Sequence, residues 1–452
     1  MTAVIIFAAL SILLISGKIL RVQIPLLQRL YLPSSIVGGL LGLLIISCFR
    51  EHIPVNITNE MRNMPGFLIN IIFATLFLGG GVPKVKNLAV SVIPQLTLAQ
   101  IVVWGQFVVG VGLAGFLLAP MFNVPAAFGN LLEMGFEGGH GTVGGMQEAF
   151  KAHNWTDGIA LGYTVATIGM VTGIVVGMAL VNWAYSRGYI KTVRPFSKRS
   201  LNERRGIHTK GERPSAGKQT VLADSVDSLA WHIAIIGIAV LIGYGILEGL
   251  RALEIAFLPE AKTRLFKGFP IFPLCMLGGV LLQLFAKMIN VDLLVDKEQM
   301  NRISGAALDY LALAAVATIE LSVVAANWVP LAIMTVAGAV WCVCSVMYFS
   351  PRLFGNEAWF ERGIAEFGQA SGVTATGLLL LRTVDPDNKT IAAASFAGKQ
   401  LLHEPGMNIW VALSFALVFT VGWMPVFLVS LVMLIIWVVV AVILMRRVKK
   451  NA

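Results

Sequence analysis

Gly138-Gly139-His140-Gly141-Thr142-Val143-Gly144-Gly145 lies inside a semi-polar stretch, 123–150, between two apolar runs at 92–119 and 158–186. Five of these eight residues are glycine, and each would destabilise a helix interior by about 1 kcal/mol relative to alanine. Irregular backbone at membrane depth persists only where it lines a cavity or packs on protein. The stretch is therefore expected to be re-entrant or to break a helix. A break here offers free amide hydrogens at a helix N-terminal end, where the helix dipole also favours an anion. Close packing of helices through small residues is the competing reading.

The flanking runs belong to a longer series. Apolar stretches fall at 3–17, 33–49, 66–82, 92–119, 158–186, 229–250, 270–289, 303–326, 328–350, 390–422 and 425–445. A spanning helix needs roughly 20 such residues, so the series leaves no room for a sizeable soluble domain. Composition agrees: 57% of the 452 residues are hydrophobic and only 13% charged, whereas a soluble domain carries about a quarter charged residues. Residues 3–17 lack the basic flank and the cleavage site of a secretory leader and read as the first span. Cys48, Cys275, Cys342 and Cys344 show neither disulfide nor zinc spacing and are expected to be packing residues.

A formal charge of +10 would raise nucleic acid as a partner for a soluble protein. Here the basic residues gather in loops and the tail, as the positive-inside rule requires, and no nucleic acid is expected. Lys18, Arg21 and Arg29 put the first loop in the cytoplasm and the N-terminus outside. Lys84 and Lys86 mark the next cytoplasmic loop, and Arg446, Arg447, Lys449 and Lys450 put the C-terminus inside. The stretch 187–218, with Arg187, Lys191, Arg194, Lys198, Arg199, Arg204, Arg205, Lys210, Arg213 and Lys218 against Glu203 and Glu212, reads as a cytoplasmic linker touching anionic lipid. Only the 251–267 loop opposes this layout, with Arg251, Lys262, Arg264 and Lys267 against Glu254 and Glu260.

For the sides to alternate, 123–150 must enter and leave from outside, and a second glycine-rich stretch, 361–382, from inside. That opposition is the signature of an inverted repeat. Pro33-Ser34-Ser35-Ile36-Val37-Gly38-Gly39 matches Pro273-Leu274-Cys275-Met276-Leu277-Gly278-Gly279 as P-x4-G-G, 240 positions apart. Phe136-Glu137-Gly138-Gly139-His140-Gly141 pairs more loosely with Phe367-Gly368-Gln369-Ala370-Ser371-Gly372. The expected fold is an all-α polytopic membrane protein of two inverted five-helix repeats with re-entrant loops, plus one extra C-terminal helix. The repeats occupy 1–186 and 228–422, the linker 187–227, and the extra helix with its basic tail 423–452.

The second stretch, Ser371-Gly372-Val373-Thr374-Ala375-Thr376, supplies hydroxyls and carbonyls suited to a carboxylate or a small cation. Intramembrane acids usually face a cavity, because an unpaired charge in lipid is costly. Asp309, early in the eighth run, is the first choice for pairing with a cation or a substrate ammonium; otherwise it is an interfacial residue facing water. Asn70 stands at nearly the equivalent place in the third run. Glu137 is a candidate site residue, while Glu133 and Glu366 are expected to be solvated residues at the mouth. His140 either binds a carboxylate, takes a proton, or is an oriented donor in a packed loop. His403-Glu404-Pro405-Gly406 interrupts the tenth span, either flanking the site or as a simple kink. No hydrolase, zinc-protease or nucleotide-binding motif is present, so an enzyme and an ATP-driven pump are both disfavoured and a gradient-driven carrier remains.

In Gly138-Gly139-His140-Gly141-Thr142, in Ala166-Thr167-Ile168-Gly169, in Phe73-Ala74-Thr75, in the Pro330-containing ninth span and in the stretch 368–377, the chain resembles the bacterial sodium/glutamate symporters. The likeness runs over about 5–422 apart from the linker. It implies a multi-pass carrier of the bacterial inner membrane, a homodimer, importing L-glutamate or a related anionic amino acid with Na+ as coupling ion and no other cofactor. Gly138, Gly139, His140, Gly141 and Thr142, with Ser371, Gly372, Thr374 and Thr376, would line the substrate and sodium sites. Thr142, Thr374 and Ser371 would hold sodium, with Asp309 and Asn70 as further candidates, and Asp309 or Glu137 would face the substrate ammonium. The chain departs from the pattern at Glu137, where the family carries a small hydroxyl residue, and at Asp309, where it carries a small one. The alternatives are a sodium- or proton-coupled carrier of another small organic anion, and a channel or receptor.

Overall fold

The computed structural model describes the chain except for residues 1, 30–31, 81–84, 191–199, 209–212, 258–265, 267–268, 386–388 and 452. The topology charges Lys84, Lys191, Arg194, Lys198, Arg199, Lys210, Glu212, Glu260, Lys262, Arg264 and Lys267 lie outside the described residues, as do the side chains of Arg29, Lys86, Arg447, Lys449 and Lys450.

Apolar sequence has one way to satisfy its backbone in lipid without closing a barrel, which is to form helix. All regular structure among the described residues is helical. The long elements are α1 (Thr2–Gln23), α2 (Ser34–Cys48), α3 (Val55–Thr75) and α4 (Val85–Leu113), which continues through a π turn to Phe122. Next come two short helices, α5 (Leu131–Phe136) and α6 (Gly139–Gly145), and the long α7 (Asp157–Ser186). After the linker follow α8 (Ser228–Phe257), α9 (Phe272–Met288), α10 (Lys297–Ala317), α11 (Trp328–Phe354), α12 (Trp359–Val384), α13 (Ala392–Thr420) and α14 (Trp423–Asn451). By length and composition alone seven of these could cross a membrane, namely α1, α4, α7, α8, α11, α12 and α14, although α12 folds back on itself midway. The bent α13 makes an eighth.

Fewer helices meet that test than there are apolar runs in the sequence. α2 and α9 are only 15 and 17 residues long. α3 and α10 begin in polar sequence, with Glu60 and Arg62 in one and Lys297, Glu298 and Arg302 in the other. The run 303–326 is split: α10 ends at Ala317 and a short helix, Leu321–Ala326, follows. α13 bends by 43° between Gln400 and Leu402. Pro405 lies inside it and has no N–H to return to the turn before, so the interruption expected at 403–406 shows itself one turn earlier.

Glycine decides which helices touch. Side chains on Gly17 or Gly38 would collide with the facing backbone where α1 crosses α2, and the same holds for Gly243 and Gly278 where α8 crosses α9. The second glycine of each pair meets a different partner. Gly39 faces Leu313 and Val316 of α10, while Gly279 faces Ala74 of α3. Thus α2 packs on α10, α9 on α3, and α3 on α10. A second group forms around α4, which packs against α11, α13 and α14, while α7 lies along α12.

Candidate functional site

Both stretches singled out in the sequence are broken, and the breaks meet. α5 ends at Phe136, and Gly139 opens α6 at φ +67°, a conformation that a Cβ disfavours. A Cβ there would also run into the Val373 side chain. α12 is interrupted opposite, at Gly372 (φ −149°, ψ 34°) and Val373 (φ 64°, ψ 169°). A β-branched residue at positive φ is strained. The stretch 361–382 doubles back at this break: a Cβ on Gly377 would meet Ala365 O, and one on Gly368 would meet the Gly377 backbone, so the segments before and after Gly372–Val373 lie side by side.

The hydroxyls around the breaks are aimed. Thr142 Oγ1 donates to Gly138 O at 3.0 Å, and Ser371 Oγ to Phe367 O at 2.6 Å. Ser371 and Gly372 lie against Gly169, Gly173 and Met170 of α7, where glycine admits the approach, and Thr376 packs beside them. His140 is buried and stacks on Tyr163 with ring centroids 6.2 Å apart. Thr167 Oγ1 spends its hydrogen on Tyr163 O (2.9 Å), so His140 Nε2 must be the donor in its 3.0 Å bond to Thr167. His140 is thus an oriented donor already engaged.

Beside the breaks runs a buried polar network that the sequence only partly revealed. Trp104 Nε1, which can only donate, bonds Gln100 Oε1 at 2.7 Å. That fixes the carboxamide, so Gln100 Nε2 donates to His403 Nδ1 (3.1 Å) and His403 carries its hydrogen on Nε2, which donates to Glu137 Oε1 at 2.6 Å. Gln369 Nε2 donates to the same Glu137 oxygen at 3.2 Å. Its own Oε1 accepts from Lys399 Nζ at 2.9 Å. Lys399 also pairs with Glu366 at 2.9 Å, and both side chains are 0% exposed. Gln95 Nε2 donates to the second Glu366 oxygen at 3.0 Å, and Arg362 Nε donates to Gln95 Oε1 at 3.1 Å. On the face of α13 nearest the second break, Gln400 Nε2 donates to Thr374 Oγ1 (2.8 Å) and to Glu404 Oε1 (3.1 Å), and Asn408 Nδ2 donates to Glu404 Oε2 (2.9 Å).

Two expectations need correcting. Glu133 and Glu366 are not solvated residues at a mouth: they are 2% and 0% exposed. Glu366 tolerates burial because Lys399 and Gln95 serve its two oxygens. Lys399, Arg362, Gln95, Gln100 and Gln369 were missed altogether. The legible signal was Lys399 inside the apolar run 390–422, one turn before His403 on the same helical face.

The other candidates sit apart. Asp309 is exposed on α10 beside Ser35 of α2. Asn70 is half-buried; its Nδ2 donates to Gly66 O at 3.0 Å within its own helix. Among the described residues no hydrogen bond or ion pair joins either of them to the breaks. Nor do three or more His, Cys, Asp or Glu side chains among the described residues converge in a way that could hold a metal ion. The oxygens at the breaks are hydroxyls, carbonyls and carboxamides, the ligand type of a hard cation.

A break in each of two helical segments, packed tip to tip within a multi-pass bundle, is what a solute carrier needs. No curated protein matches the chain. The family model described as sodium/glutamate symporter matches residues 1–359, from α1 to the first residue of α12, including the whole of the first break. The chain belongs to the sodium/glutamate symporter family and is a sodium-coupled membrane transporter.

Proposed function

We propose that the protein imports L-glutamate, or a closely related anionic amino acid, together with sodium by alternating access. The observation that carries this reading is the meeting of Gly139 with Val373, which brings the two interrupted segments tip to tip. Backbone amides at Gly139 to Gly141 and after Val373 receive the substrate carboxylates, since N–H groups at a helix start and the helix dipole favour anions there. Thr142, Thr374 and Ser371 with neighbouring carbonyls hold sodium, Thr376 closes the floor, and Gly372 and His140 shape the walls. Glu137 and Glu404, next to the breaks, favour a substrate that also carries an ammonium over a simple dicarboxylate. Asp309 and Asn70 act, if at all, in the path of the ion rather than at its central site.

The two halves, 1–186 and 228–422, are read as inverted repeats separated by the linker 187–227, with 423–452 added outside them. The exchange of partners by Gly39 and Gly279 supports this: each meets the third helix of the other half. The glycine-seamed helices form a fixed scaffold, and α4 to α7 with α11 to α13 move the cargo past it. A homodimer of the bacterial inner membrane, with its C-terminus in the cytoplasm, is consistent with exposed Gly245 and Gly249 on α8, spaced four apart as at transmembrane helix contacts. Moving a net positive charge inward gains about 2.3 kcal/mol per 100 mV, so more than one sodium per glutamate lets the potential drive uptake. Radiolabelled glutamate uptake into proteoliposomes tests the reading: a sodium gradient accelerates it, and uptake indifferent to sodium refutes it.

A further inference from the structure

We propose that Glu133 is a second ion-coupling site, a carboxyl that carries a proton in the empty carrier and gives it up when sodium and substrate load. This rests on the transport reading above and adds a countertransported proton to it.

Asn130, Glu133 and Glu137 occupy positions i, i+3 and i+7, so they share one helical face. Both ends of that face are tied to α13: Asn130 Nδ2 donates to Ser414 Oγ at 3.0 Å, and Glu137 accepts from His403. Glu133 lies between them, where the intervening turns of α13 offer Met407, Trp410 and Val411. It is 2% exposed, and its Oε2 has no hydrogen-bond partner. The orphaned side-chain oxygens nearby, Glu137 Oε2, Asn130 Oδ1, Gln106 Oε1 and Gln400 Oε1, are all acceptors. One orphaned donor, Trp410 Nε1 on α13, stands against these four acceptors and Glu133 Oε2, so hydrogen is in short supply here.

Charge leads to the same place. The titratable groups on the elements packed around Glu133 are Glu137 beside it, His140 on α6, Asp157, Tyr163 and Tyr185 on α7, and Cys342, Cys344, Tyr348 and Arg352 on α11. α12 adds Glu361, Arg362, Glu366 and Arg382, and α13 adds Lys399, His403 and Glu404; the described side chains of α4 add none. Within the buried network, Glu137, Glu366 and Glu404, with Glu133 beside them, stand with two cations, Lys399 and Arg362. Lys399 is committed to Glu366 and Gln369, and Arg362 bonds Gln95 and lies over Phe354. His403 adds no charge in this arrangement, because Gln100 donates to its Nδ1. The charged side chains that act on Glu133 are Glu137 and Glu404, both of its own sign. An ionised carboxylate with such neighbours is strongly disfavoured, whereas a protonated one brings its own donor.

Loading reverses the balance. A sodium ion at Thr374 and a substrate ammonium near Glu137 and Glu404 place positive charge one helical turn away. The O–H bond of Glu133 then breaks, the electron pair stays on the carboxylate, and the proton passes to water on the side the site faces. The unloaded carrier takes a proton up again before it returns. Because the proton leaves as the cations arrive, it is exchanged for them rather than carried with them.

The test uses proteoliposomes loaded with a pH-sensitive dye and given external sodium and glutamate. Uptake by the wild type should raise the internal pH, and an acidic interior should accelerate uptake. In Glu133→Gln the proton signal per glutamate taken up should be lost, along with the response to internal pH, while Glu133→Asp should retain both. Should Glu133→Gln not transport, calorimetry of sodium and glutamate binding to the purified protein, in two buffers of different ionisation enthalpy, should show proton release by the wild type and none by the variant. Sodium-driven uptake with no internal pH change, or with acidification, overturns the proposal and leaves the glutamate reading standing. An unaltered proton signal in Glu133→Gln overturns it too. Absence of sodium-driven glutamate uptake refutes that reading and the proton site with it.

Discussion

Two groups of helices in this protein solve the burial problem in opposite ways. In α1 to α3 and α8 to α10 the contacts are seams of glycine, with Gly17 on α2 and Gly243 on α9 fitting backbone to backbone. The polar groups there serve helix ends. His232 Nδ1 donates to Ser228 O (2.6 Å) while its Nε2 accepts from Asp296 N–H (2.8 Å), and Arg62 pairs with Glu320 at a half-exposed position. Around α4, α5, α12 and α13, by contrast, carboxylates, a lysine and an arginine are fully buried and the helices are broken. Small residues without charge make a surface against which something can slide. Buried charge and exposed backbone are costly, and are kept where a charged guest offsets the cost.

The harshest way to break this comparison is to unpair the charged group. Lys399→Met leaves Glu366 buried without its counter-ion and should destabilise the protein by about 3–5 kcal/mol. Thermal unfolding in detergent reads the loss, and adding Glu366→Gln should recover most of it. A next step strains the junction. Gly139→Ala puts a Cβ at positive φ and against Val373, costing about 1–3 kcal/mol, which corresponds to a fall in uptake of roughly tenfold to a hundredfold if the strain falls on the transport barrier. The protein should still fold, so uptake per folded molecule is the quantity to measure. The counterpart in the seamed group is Gly279→Ala, which meets the Ala74 carbonyl. Overpacking there should cost about 1–3 kcal/mol of stability, read as a lower unfolding temperature, while uptake by the folded fraction is spared. The mildest change is Trp104→Phe, which frees the Gln100 carboxamide to turn and should cost about 1 kcal/mol. Its readout is the sodium dependence of uptake, through the loosened His403–Glu137 bond.

The seams were the more legible half. P-x4-G-G at 33–39 and 273–279 could be read directly, because a close helix crossing admits only glycine and leaves a spacing in the sequence. The positions of both breaks were legible for the same reason: glycine clusters and hydroxyls in apolar surroundings are expensive unless used. The charged network was not, since its defining pairs join residues far apart in sequence, 33 positions in Lys399–Glu366 and 303 in Gln100–His403. Nothing local distinguishes a glutamate facing a lysine on another helix from one facing water, which is why Glu133 and Glu366 were misjudged. The residue at which 361–382 breaks was a second difficulty. Val373 rather than glycine takes the positive φ there, and a β-branched residue is no sequence signal for it. The family match ends at the first residue of that same helix.

The central claim is that a charged solute binds where the two breaks touch. Electron cryomicroscopy of the protein in sodium and glutamate tests it most directly. Density for a solute between 138–142 and 371–376, within hydrogen-bond reach of the backbone amides and Thr374, is the predicted result. Unbroken helices at those positions, or glutamate bound elsewhere with Gly139 still closed on Val373, would contradict it.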